Sequence, residues 1–105
     1  APYTNTTSSS NIVKDRDRST ALESLAVFPN PVISQASIKF SLPENGLVNI
    51  DLLDASGVKI KTIQQGILAA GTRQIEFYRE NLPAGIYFLK VQIGGAQATK
   101  KIFVK

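Results

Sequence analysis

Short runs in which apolar and polar residues alternate constrain this sequence most. In ASIKFSL, apolar residues occupy every second position, and serine or lysine stands between them. Successive side chains of a strand point to opposite faces, so this period of two predicts a strand with one buried face. The chain shows no helical spacing of apolar residues at every third or fourth position.

Six other runs read as strands, and turn residues separate them. They are LAVF, LVNIDLLD, VKIKTI, TRQIEFY, IYFLKVQI and AQATKKIFVK. About seven short strands at this spacing predict an all-β, antiparallel β-sandwich. We expect PENG, with its Asn-Gly pair, to form the turn of a β-hairpin. We expect QGILAAG to form a longer connection between strands. The order of the strands stays open.

The predicted core consists of the inward positions of these runs. Hydrophobic residues make up 43% of the 105 residues, which suffices for one small domain. The predicted core residues are Ile38, Phe40, Val48, Ile50, Leu52, Ile60, Ile75, Phe77, Tyr87, Leu89 and Val91.

The first 24 residues have a different composition. They are rich in Ser, Thr and Asn, and Ile12 and Val13 form their only aliphatic pair before residue 20. Too little apolar surface is present to offset the entropy cost of ordering such a segment. We therefore predict a flexible linker over residues 1–24 and a folded domain over residues 25–105.

The missing residue types exclude several functions. Without Cys or His the chain has no thiolate nucleophile, no imidazole base and no zinc site of the usual kind. The net charge is +4, but no basic stripe with interleaved aromatics is present, so we expect no nucleic-acid partner. No apolar run approaches the roughly 20 residues of a membrane-spanning helix, and we expect no direct membrane insertion.

The carboxylates form no catalytic or metal-binding pair in the sequence. Asp51 and Asp54 are three positions apart and face opposite sides of a strand. Asp54 precedes ASG, where an aspartate commonly hydrogen-bonds its own turn. The loop pattern of calcium sites is missing. We therefore predict that the chain is not an enzyme and has no cofactor and no metal site.

Five segments resemble a known family in their order and spacing. They are FPNP, LLDASGVKI, AAGTRQIEF, NLPAGIYFLKV and KKIFVK, and they are similar to the type A C-terminal sorting domain of the type IX secretion system of Bacteroidetes. The resemblance covers about residues 25–105. The sequence departs from the commoner pattern at Leu53, where an aromatic residue is frequent, and at Val58, where a basic residue is frequent.

The resemblance implies a seven-stranded Ig-like sandwich that carries a linked cargo across the outer membrane. The expected partners are the outer-membrane secretion machinery and a sortase-like cysteine protease, which would cut between about Ser10 and Leu25. The expected localisation is the periplasm in transit, followed by the cell surface or the medium. The family motif falls on Asn30, Pro31, Leu82, Pro83, Gly85 and Tyr87.

The last predicted strand carries the candidate recognition residues. Lys101, Phe103 and Lys105 share one face, and Ile102 and Val104 are expected to anchor the strand to the core. We hypothesise that the secretion machinery reads this strand by strand addition at its exposed edge. The alternative is that lysines at an edge only prevent aggregation. For Pro83, Gly85 and Tyr87 we favour a turn and packing role over contact with a receptor.

The sequence is also compatible with a binding function instead of a sorting function. An Ig-like accessory module of a secreted enzyme could bind carbohydrate or protein. Sugar-binding modules usually expose Trp or Tyr as stacking platforms, and this chain has no Trp and three Tyr. The composition therefore weakens this alternative without removing it.

Overall fold

Seven strands form two antiparallel sheets in a computed structural model of the chain, which describes residue 22 and residues 24–105. The strands are β1 (Ala26–Phe28), β2 (Gln35–Leu42), β3 (Gly46–Leu53), β4 (Lys59–Leu68), β5 (Gly71–Tyr78), β6 (Gly85–Ile93) and β7 (Ala96–Val104). One sheet has the order β1-β2-β5 and the other β4-β3-β6-β7. Constant-type immunoglobulin domains pair the fourth strand with the first sheet, whereas here it lies beside β3. The predicted sandwich is confirmed.

The core lies between the two sheets and follows the alternation of the sequence. Along β2 and β3 every second residue is buried, and nine of the predicted core residues are buried in the same way. Ile75 is partly buried against the core. The structure adds further buried residues, which are Leu25, Val32, Ala36, Leu42, Ile93, Ile102 and Val104.

The prediction for Ile60 is wrong, because β4 contains two register irregularities against β3. The partners change from Ile50↔Gln64 to Asp51↔Thr62, and again between Leu52 and Leu53. Each shift leaves one extra residue on β4, which changes the face that the following side chains occupy. Ile60 is consequently 41% exposed, whereas Ile63 packs against the core.

Two predicted connections also differ from the structure. The segment QGIL belongs to β4, which continues to Leu68, so the connection to β5 is only two residues long. PENG does not close a hairpin, because β2 pairs with β1 and β5 while β3 pairs with β4 and β6. The Asn45 side chain instead accepts a hydrogen bond from the Ala70 amide at 2.8 Å. PENG therefore carries the chain from one sheet to the other.

The predicted linker lies outside the described residues except at Leu22 and Ser24. Leu22 packs against the core, and the Ser24 hydroxyl accepts a hydrogen bond from the Ser41 amide at 3.0 Å. The boundary at residue 25 remains a prediction, and these contacts lie just before it. No helix within the described residues is long and apolar enough to cross a membrane.

The change of phase in β4 can be tested with two isoleucines three positions apart. We expect Ile63→Ala to lower the free energy of unfolding by about 1–2 kcal/mol, because it removes a side chain packed on the core. Ile60→Ala should cost less than about 0.5 kcal/mol, because exposed substitutions usually have small effects. Urea denaturation of the two variants checks this, and a larger loss for Ile60→Ala would contradict the register.

Candidate functional site: the last strand and its clamp

Two of the predicted recognition residues, Lys101 and Phe103, lie on β7, at the edge of the four-stranded sheet. Ile102 and Val104 are buried at 0% and 3% exposure, which confirms that they anchor the strand. Phe103 points the other way and is 44% exposed. The Lys101 ammonium lies 5.4 Å from the centroid of the Phe103 ring, within cation–π range. Lys105 directly follows the strand and is exposed.

The edge of β7 is less free than the strand-addition hypothesis requires. The Phe103 carbonyl accepts a hydrogen bond from the Val32 amide at 2.7 Å, and the Lys105 amide donates to the Val32 carbonyl at 2.9 Å. Val32 also forms a parallel bridge with Val104. The terminal half of the edge is therefore already paired, and the expectation of an exposed edge is corrected there. Within residues 24–105, no backbone hydrogen bond of this kind covers the half of the edge that contains Gln97 and Thr99.

Asn30 completes this pairing with its side chain. Its carbonyl oxygen accepts from the Phe103 amide at 2.9 Å, and its amide nitrogen donates to the Lys101 carbonyl at 3.4 Å. A carboxamide has one acceptor and two donors, so it can bond an edge as a peptide group does. The peptide bonds before Pro29 and Pro31 are both cis. We name residues 30–34 the clamp segment.

Arg79 holds the clamp segment from the other side, and the sequence analysis missed it. Its guanidinium donates to the carbonyls of Ile33 at 3.1 Å and Leu82 at 3.0 Å, and also to the backbone oxygen of Lys105. Its own amide donates to the Ser34 carbonyl at 2.9 Å. The donors of one guanidinium group therefore link three separate segments of the backbone. An arginine after a strand carries no local signal of this role.

The motif residues Leu82, Pro83, Gly85 and Tyr87 form the corner between β5 and β6. The Tyr87 hydroxyl donates to the Pro83 carbonyl at 2.6 Å, and its ring is buried. Immunoglobulin-like domains use a tyrosine in this way at the equivalent corner. Gly85 has φ 155°, a conformation that L side chains rarely adopt. Leu82 packs on the core. The structure therefore gives each of these four motif residues a role in the corner.

Three of the carboxylates each accept hydrogen bonds from different neighbouring residues. Asp54 accepts from the Val58 amide at 3.0 Å and from the Ser56 hydroxyl at 2.8 Å, and these hydrogen bonds lower its pKa. Asp51 bonds Thr62 at 2.9 Å. Hydrogen bonds from Gln74 and then Ser37 lower the pKa of Glu76. Among the described residues no group of three or more acidic side chains could hold a metal ion.

A depression of about 540 Å³ adjoins the clamp segment and carries no catalytic arrangement. Its lining includes Ile33, Arg79, Glu80 and Asn81. The guanidinium of Arg79 is already occupied by backbone carbonyls, and Glu80 pairs with Lys61 at 3.4 Å. General acid–base chemistry needs groups that converge on one point with separated pKa values. The lining of this depression does not offer such a pair.

Comparisons with known proteins support the resemblance. A sequence profile described as a secretion system C-terminal sorting domain matches residues 26–105. The fold is similar to part of PorZ, an essential surface component of the type IX secretion system of Porphyromonas gingivalis, with a TM-score of 0.58, 15% identity, and coverage of 82% of this chain and 12% of that chain.

The fold is also similar to part of dimeric latent PorU from Porphyromonas gingivalis. That comparison has a TM-score of 0.56 and 17% identity, and it covers 76% of this chain and 9% of that chain. The chain thus spans about a tenth of the length of either structure. At these identities the two likenesses concern the fold alone. No curated protein matches the sequence.

The pairing of Asn30 with β7 can be tested by hydrogen exchange. We expect Asn30→Ala to speed exchange of the Phe103 amide at least about tenfold, because it removes the acceptor of that amide and exposes it to water. The Ile102 amide points toward β6 and serves as the control, with a change below about twofold. Unchanged exchange at Phe103 would show that the clamp does not form through Asn30.

The hydrogen bonds to Asp54 predict a pH dependence of stability. The folded state holds the pKa of Asp54 below its ordinary value of 3.8, so the charged form stabilises the fold above that value, and this contribution is lost as the pH falls through the lowered pKa. Asp54→Asn keeps a side-chain acceptor but removes the charge. Denaturant titrations should find wild type more stable near neutrality, with the difference vanishing in acid. A difference that is constant with pH would contradict this.

Proposed function

The chain belongs to the family of secretion system C-terminal sorting domains, and on that premise we propose how its parts take a cargo through the machinery. Members of this family are the sorting signals of the type IX secretion system. The domain directs a covalently linked cargo across the outer membrane, and the cargo becomes a secreted or cell-surface protein. The observation that carries this is the match over residues 26–105, which coincides with the seven strands.

In this proposal, the secretion machinery recognises the exposed face of β7 at Lys101, Phe103 and Lys105. Phe103 is 44% exposed although it follows a fully buried Ile102, and the Lys101 ammonium stands over its ring. An exposed aromatic residue flanked by cations adds little to a core, but it suits contact with a partner. Because the clamp segment occupies the terminal edge, the partner would contact side chains instead of adding a strand there.

The linker would be the site of processing. A sortase-like cysteine protease would cut between about Ser10 and Leu25 after passage from the periplasm to the cell surface. Leu25 is buried and Leu22 packs on the core, so a protease would meet the folded domain at these residues. We therefore place the cut before Leu22. The domain itself would have no catalytic role, in keeping with a family of sorting signals.

Replacement of the two recognition lysines tests this proposal. A reporter fused to the chain should reach the surface of a type IX-secreting host, and Lys101→Ala with Lys105→Ala should reduce the surface amount roughly threefold to tenfold. The loss should be partial, because exposed charges assist encounter more than final affinity. Surface labelling of the reporter measures the amount.

Two exposed lysines elsewhere provide the matched control. Lys39 lies on the other sheet, and Lys100 neighbours Lys101 but occupies the opposite face of β7. Lys39→Ala with Lys100→Ala removes the same charge and should leave secretion unchanged. Deletion of residues 101–105 is a poorer test, because it also removes the buried anchors. Normal secretion by the Lys101/Lys105 variant, with an unchanged melting temperature, would show that β7 is only structural.

A further inference from the structure

The outer face of the four-stranded sheet carries an apolar patch that extends well beyond β7. Phe103 lies opposite Ile86, and Phe88 lies opposite both Lys101 and Leu53. Directly opposite residues share a face of a sheet, so Leu53, Ile86, Phe88 and Phe103 form one surface, which we name the outer-face patch. Ile86 is 39% exposed and Phe103 is 44% exposed, while Leu53 and Phe88 are half-buried.

A lysine stands at each end of the central row of this patch. The row runs across four strands as Lys101, Phe88, Leu53 and Lys59. With strands about 4.8 Å apart, the two lysine backbones lie roughly 14 Å from each other. Within the described residues the only ion pair joins Lys61 and Glu80, so neither Lys59 nor Lys101 has a carboxylate partner there.

The rest of the same face is polar until its far end. The next rows place Lys90 opposite Asp51 and Thr99, and Gln92 opposite Asn49 and Gln97. At the far end Leu47 lies opposite Ile67, and they are 57% and 77% exposed. The outer-face patch is therefore bounded, and the Leu47–Ile67 pair is a second exposed apolar pair without the two flanking lysines.

We propose that the outer-face patch is a docking surface for a protein of the secretion machinery whose own surface presents an apolar centre flanked by carboxylates. This inference rests on the proposed sorting function and extends the recognition site from β7 to β6, β3 and β4. Burial of Phe88 and Ile86 would supply affinity at the centre of the contact. Lys59 and Lys101 would fix the orientation of the partner through two separated charge pairs.

A protein partner with carboxylates fits the patch better than a second copy of the chain or an anionic membrane. A second copy of the chain would bring its own Lys59 and Lys101 against this face, and like charges brought together in an interface are costly. An anionic membrane would attract the lysines, but Leu53 and Phe88 are half-buried in the sheet face, and Asp51 lies in the next row. Membrane-surface binding depends on an apolar face that enters the lipid boundary.

The test uses the whole chain fused to a reporter in the secreting host. Ile86→Thr with Phe88→Thr removes the apolar centre and keeps residues that favour strands, and Lys59→Glu reverses one flank. Each should lower the surface amount about tenfold, as expected for central and charged contacts of an interface. The matched controls are Leu47→Thr with Ile67→Thr at the far end and Lys39→Glu on the other sheet. Both should stay within about twofold of wild type.

Further measurements distinguish a variant that does not fold from one that folds but is not recognised, and distinguish failure of this inference from failure of the proposed function. Melting temperatures show whether the threonine variant folds, and Lys59→Glu, at an exposed position, decides the case if it does not. A patch variant that folds could be secreted normally while the variant with Lys101→Ala and Lys105→Ala is impaired. That result would overturn this inference and leave the proposed function standing. Binding of the chain to phosphatidylglycerol vesicles that Lys59→Glu abolishes would instead identify a membrane and overturn it. If the unaltered fusion is not exported, the proposed function is wrong and this inference falls with it.

Discussion

The pairing of the clamp segment with the last strand is the constraint on which the rest of the structure depends. Val32 joins β7 by two backbone hydrogen bonds, and its side chain is fully buried. Ile102 and Val104 enter the core from the same strand. The clamp segment and the last strand are thereby held together, and the terminal half of an edge strand acquires partners for its peptide groups. An unpaired edge would otherwise invite association with other chains.

The fold follows from local patterns wherever the period of two is uninterrupted. ASIKFSL and LVNIDLLD predicted the buried faces of β2 and β3, because each alternates without a break. The same rule failed at Ile60, because an irregularity in pairing is a relation between two strands and leaves no mark on one of them. PENG has the residues typical of a hairpin turn, but it joins two sheets. The sheet to which a strand belongs depends on pairing with strands that are distant in sequence.

The candidate site was predictable only in part for the same reason. The alternation of KKIFVK was enough to assign Phe103 to the outer face and Ile102 to the core. The bonds of Asn30 to β7 span more than 70 residues, and Arg79 joins three segments, so neither has a local signature. Because the clamp segment covers the terminal half of the edge, the accessible part of β7 at that end is its outer face. The outer-face patch then becomes visible, because its members come from three strands.

The separation in sequence between Asn30 and Phe103, 73 residues, has a consequence for the timing of assembly. A chain emerging from the ribosome presents residues 30–34 long before it presents β7, so the clamp closes only when synthesis has passed residue 105. Contacts between such distant residues are also among the slower ones to form in folding. A product that stopped before β7 would lack both the anchors and the exposed face. Assembly of the clamp and of the outer face of β7 therefore requires a chain that has been translated through β7.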